Sequence, residues 1–168
     1  ELRARIKGNG FEFYQVDNEL KPAKSLLEKL HSTFGLEEGL YVQIRTELPK
    51  QSGGMSTSTA FLAAFMHALN LYHKWGVNKR EYPTHLYPVQ KEIHGGAASG
   101  AEFASSLFGG THLIEKKERA AGEMPIKFEC LESANFNILI GDTGIEAKTR
   151  ITVSQVRNLY KYAKKEYE

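Results

Sequence analysis

A loop rich in glycine, serine and threonine occupies residues 49–58 and could bind a phosphate group. It follows a predicted strand, residues 40–47, and precedes an apolar stretch, residues 60–72, which predicts a buried helix. Glycines let several backbone N–H groups turn towards one point, and the helix adds the positive end of its dipole. The loop lacks the Gly-Lys-Ser/Thr of a Walker A sequence, so the local alternative is an ordinary loop with Ser/Thr caps. The residues concerned are Gly53, Gly54, Met55, Ser56, Thr57 and Ser58.

A second cluster of polar side chains, between residues 92 and 102, could hold a metal ion and accept a proton. It contains two carboxylates, an imidazole and a hydroxyl: Glu92, His94, Ser99 and Glu102. Carboxylates bind hard cations such as Mg²⁺, and a carboxylate or an imidazole can take the proton of a reacting hydroxyl. Ser99 and Glu102 also have the spacing of a capping box, which is the structural alternative, and the two interpretations are compatible.

Length and composition exclude several classes of protein. The 168 residues suffice for about one domain, and 41% hydrophobic with 25% charged residues is ordinary globular usage. A net charge of +2 gives no argument for nucleic acid or a membrane surface as partner. The single cysteine, Cys130, excludes an internal disulfide and a cysteine-rich zinc site. We therefore expect a soluble domain from a reducing compartment, without nucleic acid or membrane as partner.

The pattern of apolar residues predicts alternating strands and helices, so the fold class is α/β or α+β. Pro88 lies inside one predicted helix and could break it. The predicted strands are residues 11–16, 40–47, 111–114, 127–130 and 137–141, and the predicted helices are residues 21–34, 60–72, 81–92, 101–108 and 151–168.

Three segments, in order along the chain, resemble the GHMP kinases, which phosphorylate small molecules. Residues 48–60 (LPKQSGGMSTSTA) are similar to the family's ATP-phosphate loop. Residues 94–110 contain His-Gly, Ser-Gly-Ala-Glu and Phe-Gly-Gly, and residues 137–150 contain Asp-Thr-Gly. These two segments look most like the mevalonate kinases within the family. Each segment alone is a weak signal, but together they cover roughly residues 40–160.

The resemblance implies a fold and a domain division. Residues 1–150 would form the N-terminal, ATP- and substrate-binding domain, in which a mixed sheet is backed by helices. Residues 151–168 would be a helix leading into a C-terminal domain that is largely absent from this chain.

The resemblance also implies an activity, with ATP and Mg²⁺ as cofactors: transfer of the γ-phosphoryl group to a hydroxyl, most naturally of mevalonate to give 5-phosphomevalonate. The backbone of residues 53–58 would cradle the phosphates, and Ser58 with Glu92 would hold the metal. His94 and Ser99 would border the acceptor, and Glu102 would take the hydroxyl proton. The protein would be cytoplasmic and could form a homodimer.

Departures from the family pattern keep other interpretations open. Glu102 stands where the mevalonate kinases carry Asp, and nothing in residues 1–13 matches the family's Lys and Gly-Glu-His segment. The acceptor could instead be a sugar, homoserine or phosphomevalonate. The chain could also be a non-catalytic binding domain derived from a kinase, or an unrelated α/β domain.

Overall fold

The computed structural model describes residues 2–7, 10–16, 20–36, 38–45, 56–96, 98–117, 124, 126–132, 137–141 and 149–167. The elements follow in the order β1 (Leu2–Lys7), β2 (Gly10–Val16), α1 (Lys21–Phe34), β3 (Leu40–Val42), α2 (Thr57–His73), α3 (Tyr82–Ile93), α4 (Glu102–Phe108), β4 (His112–Lys116), β5 (Ile126–Cys130) and α5 (Thr149–Tyr167). A 3-10 turn, Lys79–Glu81, precedes α3. The mixture of helices and strands confirms the predicted α/β class.

The first sheet has three strands in the order β2-β1-β3, and β1 pairs antiparallel with both neighbours. Leu2 and Ala4 are buried while Arg3, between them, is exposed, so one face of β1 points to the core. The family resemblance implied a mixed sheet, which is wrong within the described residues, because every pairing of this sheet is antiparallel. Strand β1 was not among the predicted strands, and it lies between β2 and β3, the two strands that run in the same direction.

The core lies between this sheet and the first four helices. Helix α1 has a proline, Pro22, in its first turn and is capped by Gly35, whose φ of 66° is the left-handed conformation that glycine adopts readily. Helix α2 packs against α1, α3 and α4. The largest fully buried side chains are Leu2, Leu26, Leu27, Leu30, Leu62, Met66, Tyr82, Leu86 and Phe103, together with the polar Gln90 and Thr59.

Three sequence predictions differ from the structure. Pro88 does not break α3, because buried neighbours on either side, Tyr87 and Val89, hold the helix in the core. The strand predicted over residues 40–47 ends at Val42 within the described part. Residues 137–141 form no strand, and Leu139 is 99% exposed, because no other described strand pairs with them.

The second sheet is a ribbon of β4 and β5, paired antiparallel from His112–Cys130 to Lys116–Ile126. Phe128 joins the ribbon to the end of α4 through Phe108, with ring centroids 5.6 Å apart. No helix in the described part of the chain is both long enough and apolar enough to cross a membrane.

The turn between α2 and α3 depends on the buried side chain of Asn70. Its Oδ1 accepts a bond from the backbone N–H of Val77 at 3.1 Å, and its Nδ2 donates to the Val77 carbonyl at 3.0 Å and to the Tyr82 hydroxyl at 2.9 Å. We expect Asn70→Ala to lower the free energy of unfolding by about 1–3 kcal/mol, because it leaves these partly buried groups unpaired. Urea denaturation measures this, with the exposed Asn158→Ala as the matched control.

Three aromatic side chains pack together where α1 and α2 end and α3 begins. The rings of Phe34 and Trp75 stack with centroids 4.6 Å apart, and His85 tilts against Phe34 at 5.2 Å. Burial lowers the pKa of His85 below its ordinary 6.5, the positive charge of Lys29 lowers it further, and Glu81 opposes this.

The lowered pKa of His85 predicts a loss of stability in mild acid. Between the folded and unfolded pKa values the unfolded chain binds more protons, so stability falls as the pH falls below about 6.5. We expect His85→Gln to lose less stability than the parent between about pH 7 and pH 5.5. Chemical denaturation at the two pH values measures the difference, and an equal loss in both proteins would contradict the assignment.

Candidate active site

At the N-terminus of α2, a residue with a strained backbone conformation precedes a first turn that contains no acidic side chain. Ser56 precedes the helix at φ 54° and ψ 31°, a left-handed conformation unusual for a residue other than glycine. The Ser56 carbonyl accepts the first helical bond, from Ala60 at 2.9 Å, and no acidic residue lies in the first turn. Thr57 and Ser58 are half-buried there. The helix dipole therefore favours an anion at this end, whereas the predicted phosphate-loop residues Gly53, Gly54 and Met55 lie outside the described residues.

Helices α2 and α3 run antiparallel, which brings the end of α3 to the beginning of α2. At one end, Tyr82 at the start of α3 contacts His67 and Asn70 in the second half of α2. At the other end, Gln90 in the last turn of α3 donates a bond to Thr59 in the first turn of α2. His94, which follows α3 directly, consequently lies beside the anion-favouring end of α2.

Gln90 connects these two segments and was not predicted from the sequence. The side chain is 1% exposed. Its Nε2 lies 2.6 Å from Thr59 Oγ1 and 3.1 Å from Nε2 of His94, while its Oε1 is buried and has no hydrogen-bond partner among the described residues. The sequence signal was the spacing of four residues between Gln90 and His94, which puts two side chains on one side of a helix end.

Glu92, the predicted metal ligand, lies on a different side of α3. Two residues along a helix turn the side chain by about 200°, so Glu92 faces away from the contact that Gln90 makes with α2. The carboxylate is exposed, and its Oε1 accepts a hydrogen bond from Ser25 on α1 at 3.4 Å. The contact that the Glu92 carboxylate makes in the described part of the chain is thus with α1, whereas Ser58 lies at the start of α2. The described residues contain no group of three or more His, Cys, Asp or Glu side chains with metal-binding geometry.

Ser99 and Glu102, by contrast, are brought together at the start of α4. Ser99 Oγ accepts a bond from the backbone N–H of Ala101 at 3.2 Å and lies 3.5 Å from Glu102 Oε2. Gly100, between them, has φ 81°, and an added Cβ there would come within 2.6 Å of the Met124 side chain. The predicted capping box is incomplete, since α4 begins at Glu102 itself and receives no side-chain cap bond.

The segment from His94 to Glu102 is tied to the core at several points. The Tyr87 hydroxyl donates to the Ala98 carbonyl at 3.2 Å, and Phe103 and Ala104 of α4 are buried. Helix α4 also packs against α2. Three features thus belong to adjoining elements of one core. They are the N-terminus of α2, which favours an anion, the imidazole of His94, which Gln90 links to it, and the half-buried carboxylate of Glu102. Such a set can bind a phosphate group and accept a proton from a hydroxyl.

Comparison with known proteins agrees with this set of functions. The family model of the GHMP kinases N terminal domain matches residues 21–110, more than half of the chain. The match contains α1 to α4 and all the candidate site residues. No curated protein and no solved structure matches the chain. The chain belongs to the GHMP kinases, a family of small-molecule kinases, through their N-terminal domain.

Proposed function

We propose that this chain transfers the γ-phosphoryl group of ATP to the hydroxyl of a small molecule. The observation that carries the proposal is the hydrogen-bonded link from Thr59 through Gln90 to His94. It joins the helix end that favours phosphate to the segment that resembles the family's acceptor site. A kinase needs these two sites next to each other, because the transferred group must pass directly from donor to acceptor.

Each predicted site residue has a proposed role in this reaction. The loop of residues 53–58 and the N-terminus of α2 would bind the ATP phosphates, while His94 and Ser99 would bind the acceptor. Glu102 would take the proton of the acceptor hydroxyl, whose oxygen then bonds to the γ-phosphorus. The bond from that phosphorus to the oxygen of ADP breaks, and ADP leaves with the electron pair.

Magnesium would accompany ATP and reduce the negative charge on its phosphate oxygens. Ser58, whose hydroxyl lies in the first turn of α2, is the residue we propose to contact it. Glu92 is not proposed for this role, because its carboxylate lies against α1.

Mevalonate is the acceptor that we favour, because of the His-Gly, Ser-Gly and Gly-Gly spacing over residues 94–110. The Gly-Met-Ser-Thr-Ser sequence of residues 54 to 58 suits sugar acceptors as well. Homoserine and phosphomevalonate are further acceptors with the required hydroxyl or phosphate.

A non-catalytic nucleotide-binding protein is the second candidate function. The observation that favours it is the Glu102 carboxylate, which carries one more methylene than the family's Asp and lies 3.5 Å from the Ser99 hydroxyl. If that contact persists with ligands bound, Oε2 is held by Ser99 and only Oε1 remains to take the proton of the acceptor.

Incubating the full chain with Mg·ATP and each of the four acceptors separates the two functions. ADP release and the phosphorus NMR spectrum of the product report transfer, and calorimetry reports binding. We expect transfer to one acceptor. Nucleotide binding without transfer to any of them would favour the non-catalytic function, and absence of nucleotide binding would contradict both.

A further inference from the structure

The proposed reaction assigns no chemical role to the carboxamide of Gln90, a polar side chain of the site that is 1% exposed. Its amide nitrogen carries two hydrogens, and two atoms lie within hydrogen-bond distance of it. These are Oγ1 of Thr59 at 2.6 Å and Nε2 of His94 at 3.1 Å. The two contacts use both hydrogens of the amide group.

This contact determines where the neutral ring of His94 carries its hydrogen. An amide nitrogen only donates, so Nε2 of His94 must accept with its lone pair. The ring hydrogen then resides on Nδ1, and within the described part of the chain nothing accepts a bond from it. Gln90 therefore selects one of two tautomers and leaves His94 with an unused donor.

The opposite orientation of the carboxamide is less favourable. If oxygen and nitrogen exchanged places, Oε1 would accept from the Thr59 hydroxyl and from an Nε2–H of His94. Both amide hydrogens would then be buried without an acceptor, whereas the observed orientation leaves only the carbonyl oxygen unpaired. Buried N–H groups without acceptors are rarer in proteins than under-satisfied carbonyl oxygens.

We propose that Gln90 is a positioning residue, which holds His94 as the Nδ1–H tautomer so that this hydrogen is donated to an oxygen atom of the phosphoryl acceptor. The donation step rests on the proposed function, and the tautomer does not. Thr59 is the other anchor of the carboxamide and lies in the first turn of α2. The buried carboxamide of Gln90 is thus held by Thr59 at the start of α2, and it orients the ring of His94, which we propose to bind the acceptor.

Substitutions of Gln90 with side chains of similar size can reverse or remove its selection of the His94 tautomer. Gln90→Glu keeps the length of the side chain, but its carboxylate oxygens accept instead of donate, so Nε2 must carry the hydrogen. Gln90→Met keeps a similar length and makes neither contact. Gln155→Met is the matched control, because Gln155 is exposed on α5.

Nitrogen-15 NMR of the imidazole rings in the full chain, without ligands, tests the tautomer. The chain has six histidines, and the His94 signals are those that disappear in His94→Asn. We expect a protonated Nδ1 and an unprotonated Nε2 in the parent and in Gln155→Met, and the reverse in Gln90→Glu. A protonated Nε2 in the parent overturns the proposal even if no Gln90 variant folds.

Steady-state kinetics test the donation. We expect Gln90→Met to raise the KM of the acceptor by ~10-fold, the effect of losing one hydrogen bond, and to change the KM of ATP by less than ~2-fold. Equal effects on both KM values would overturn the donor role and indicate a structural one. A parent without kinase activity would overturn the proposed function and the donor role together, whereas the ring spectrum would still decide the positioning role.

Discussion

Glu102→Gln is expected to lower the rate of phosphoryl transfer by at least ~10²-fold, the usual contribution of a general base. The carboxylate lies in the first turn of α4, half-buried and 3.5 Å from the Ser99 hydroxyl. The amide of glutamine has the same size and can still accept a bond from Ser99, but it cannot take the proton of the acceptor. We therefore expect kcat to fall while the KM of ATP and the unfolding temperature stay at the parent values.

Two further variants make this result specific. Glu129→Gln removes the same charge from an exposed position on β5 and should leave kcat unchanged. Glu102→Asp keeps the carboxylate but withdraws it by about 1 Å, a displacement that can cost ~10²-fold in rate. Since Ser99 and Gly100 fix the start of α4, we expect the aspartate variant to lose activity as well. Transfer at the parent rate by Glu102→Gln would show that another group takes the proton.

The helices of this protein could be predicted from sequence because their signals are local. Pro22 and Gly35 mark the two ends of α1, and the pattern of apolar residues gave α3 and α5 within two residues at their starts. Pro88 was misleading, because the stability of α3 comes from its buried neighbours, which depend on the whole core.

The strands were harder because a strand requires a partner. The sequence LRARIK of β1 alternates apolar and charged residues, which is the pattern of a half-buried strand, yet it was not predicted. The equally apolar residues 137–141 were predicted as a strand and are not one, since Ile138 and Leu139 are exposed. The pattern alone does not distinguish a strand from an apolar segment that has no neighbour.

The candidate site was predicted as a set of segments but only in part as a set of contacts. The sequence favoured Glu92 because a carboxylate is a metal ligand, whereas the structure turns Gln90 towards α2 and Glu92 towards α1. Which side of α3 meets α2 is decided by the packing of four helices, and no spacing within residues 90–102 contains that information. Ser99 and Glu102 were predicted to be neighbours because they are three positions apart in the chain, a spacing at which local structure alone determines the contact.

The N-terminus of α2 offers the second large effect, from a substitution that should change stability and binding in opposite directions. Ser58→Asp puts a negative charge in a first turn that has none, next to the positive end of the helix dipole. A carboxylate at such a position stabilises a helix by about 0.3–1 kcal/mol, so the unfolding temperature should rise slightly. The same charge should repel the nucleotide phosphates and compete for the backbone N–H groups.

We therefore expect Ser58→Asp to weaken Mg·ATP binding by at least ~100-fold while the protein becomes more stable, since the phosphate site depends on the same dipole and N–H groups that the new carboxylate occupies. Thr152→Asp is the matched control, because Thr152 is exposed near the start of α5, which also has no acid in its first turn. It should gain similar stability and bind nucleotide as the parent does.

Ser58→Ala removes only the hydroxyl and should weaken Mg·ATP binding by ~10-fold or less, about one hydrogen bond. Calorimetric titration with Mg·ATP and thermal unfolding measure the two quantities on the same samples. If Ser58→Asp binds the nucleotide as tightly as the parent, the phosphates do not lie at the beginning of α2.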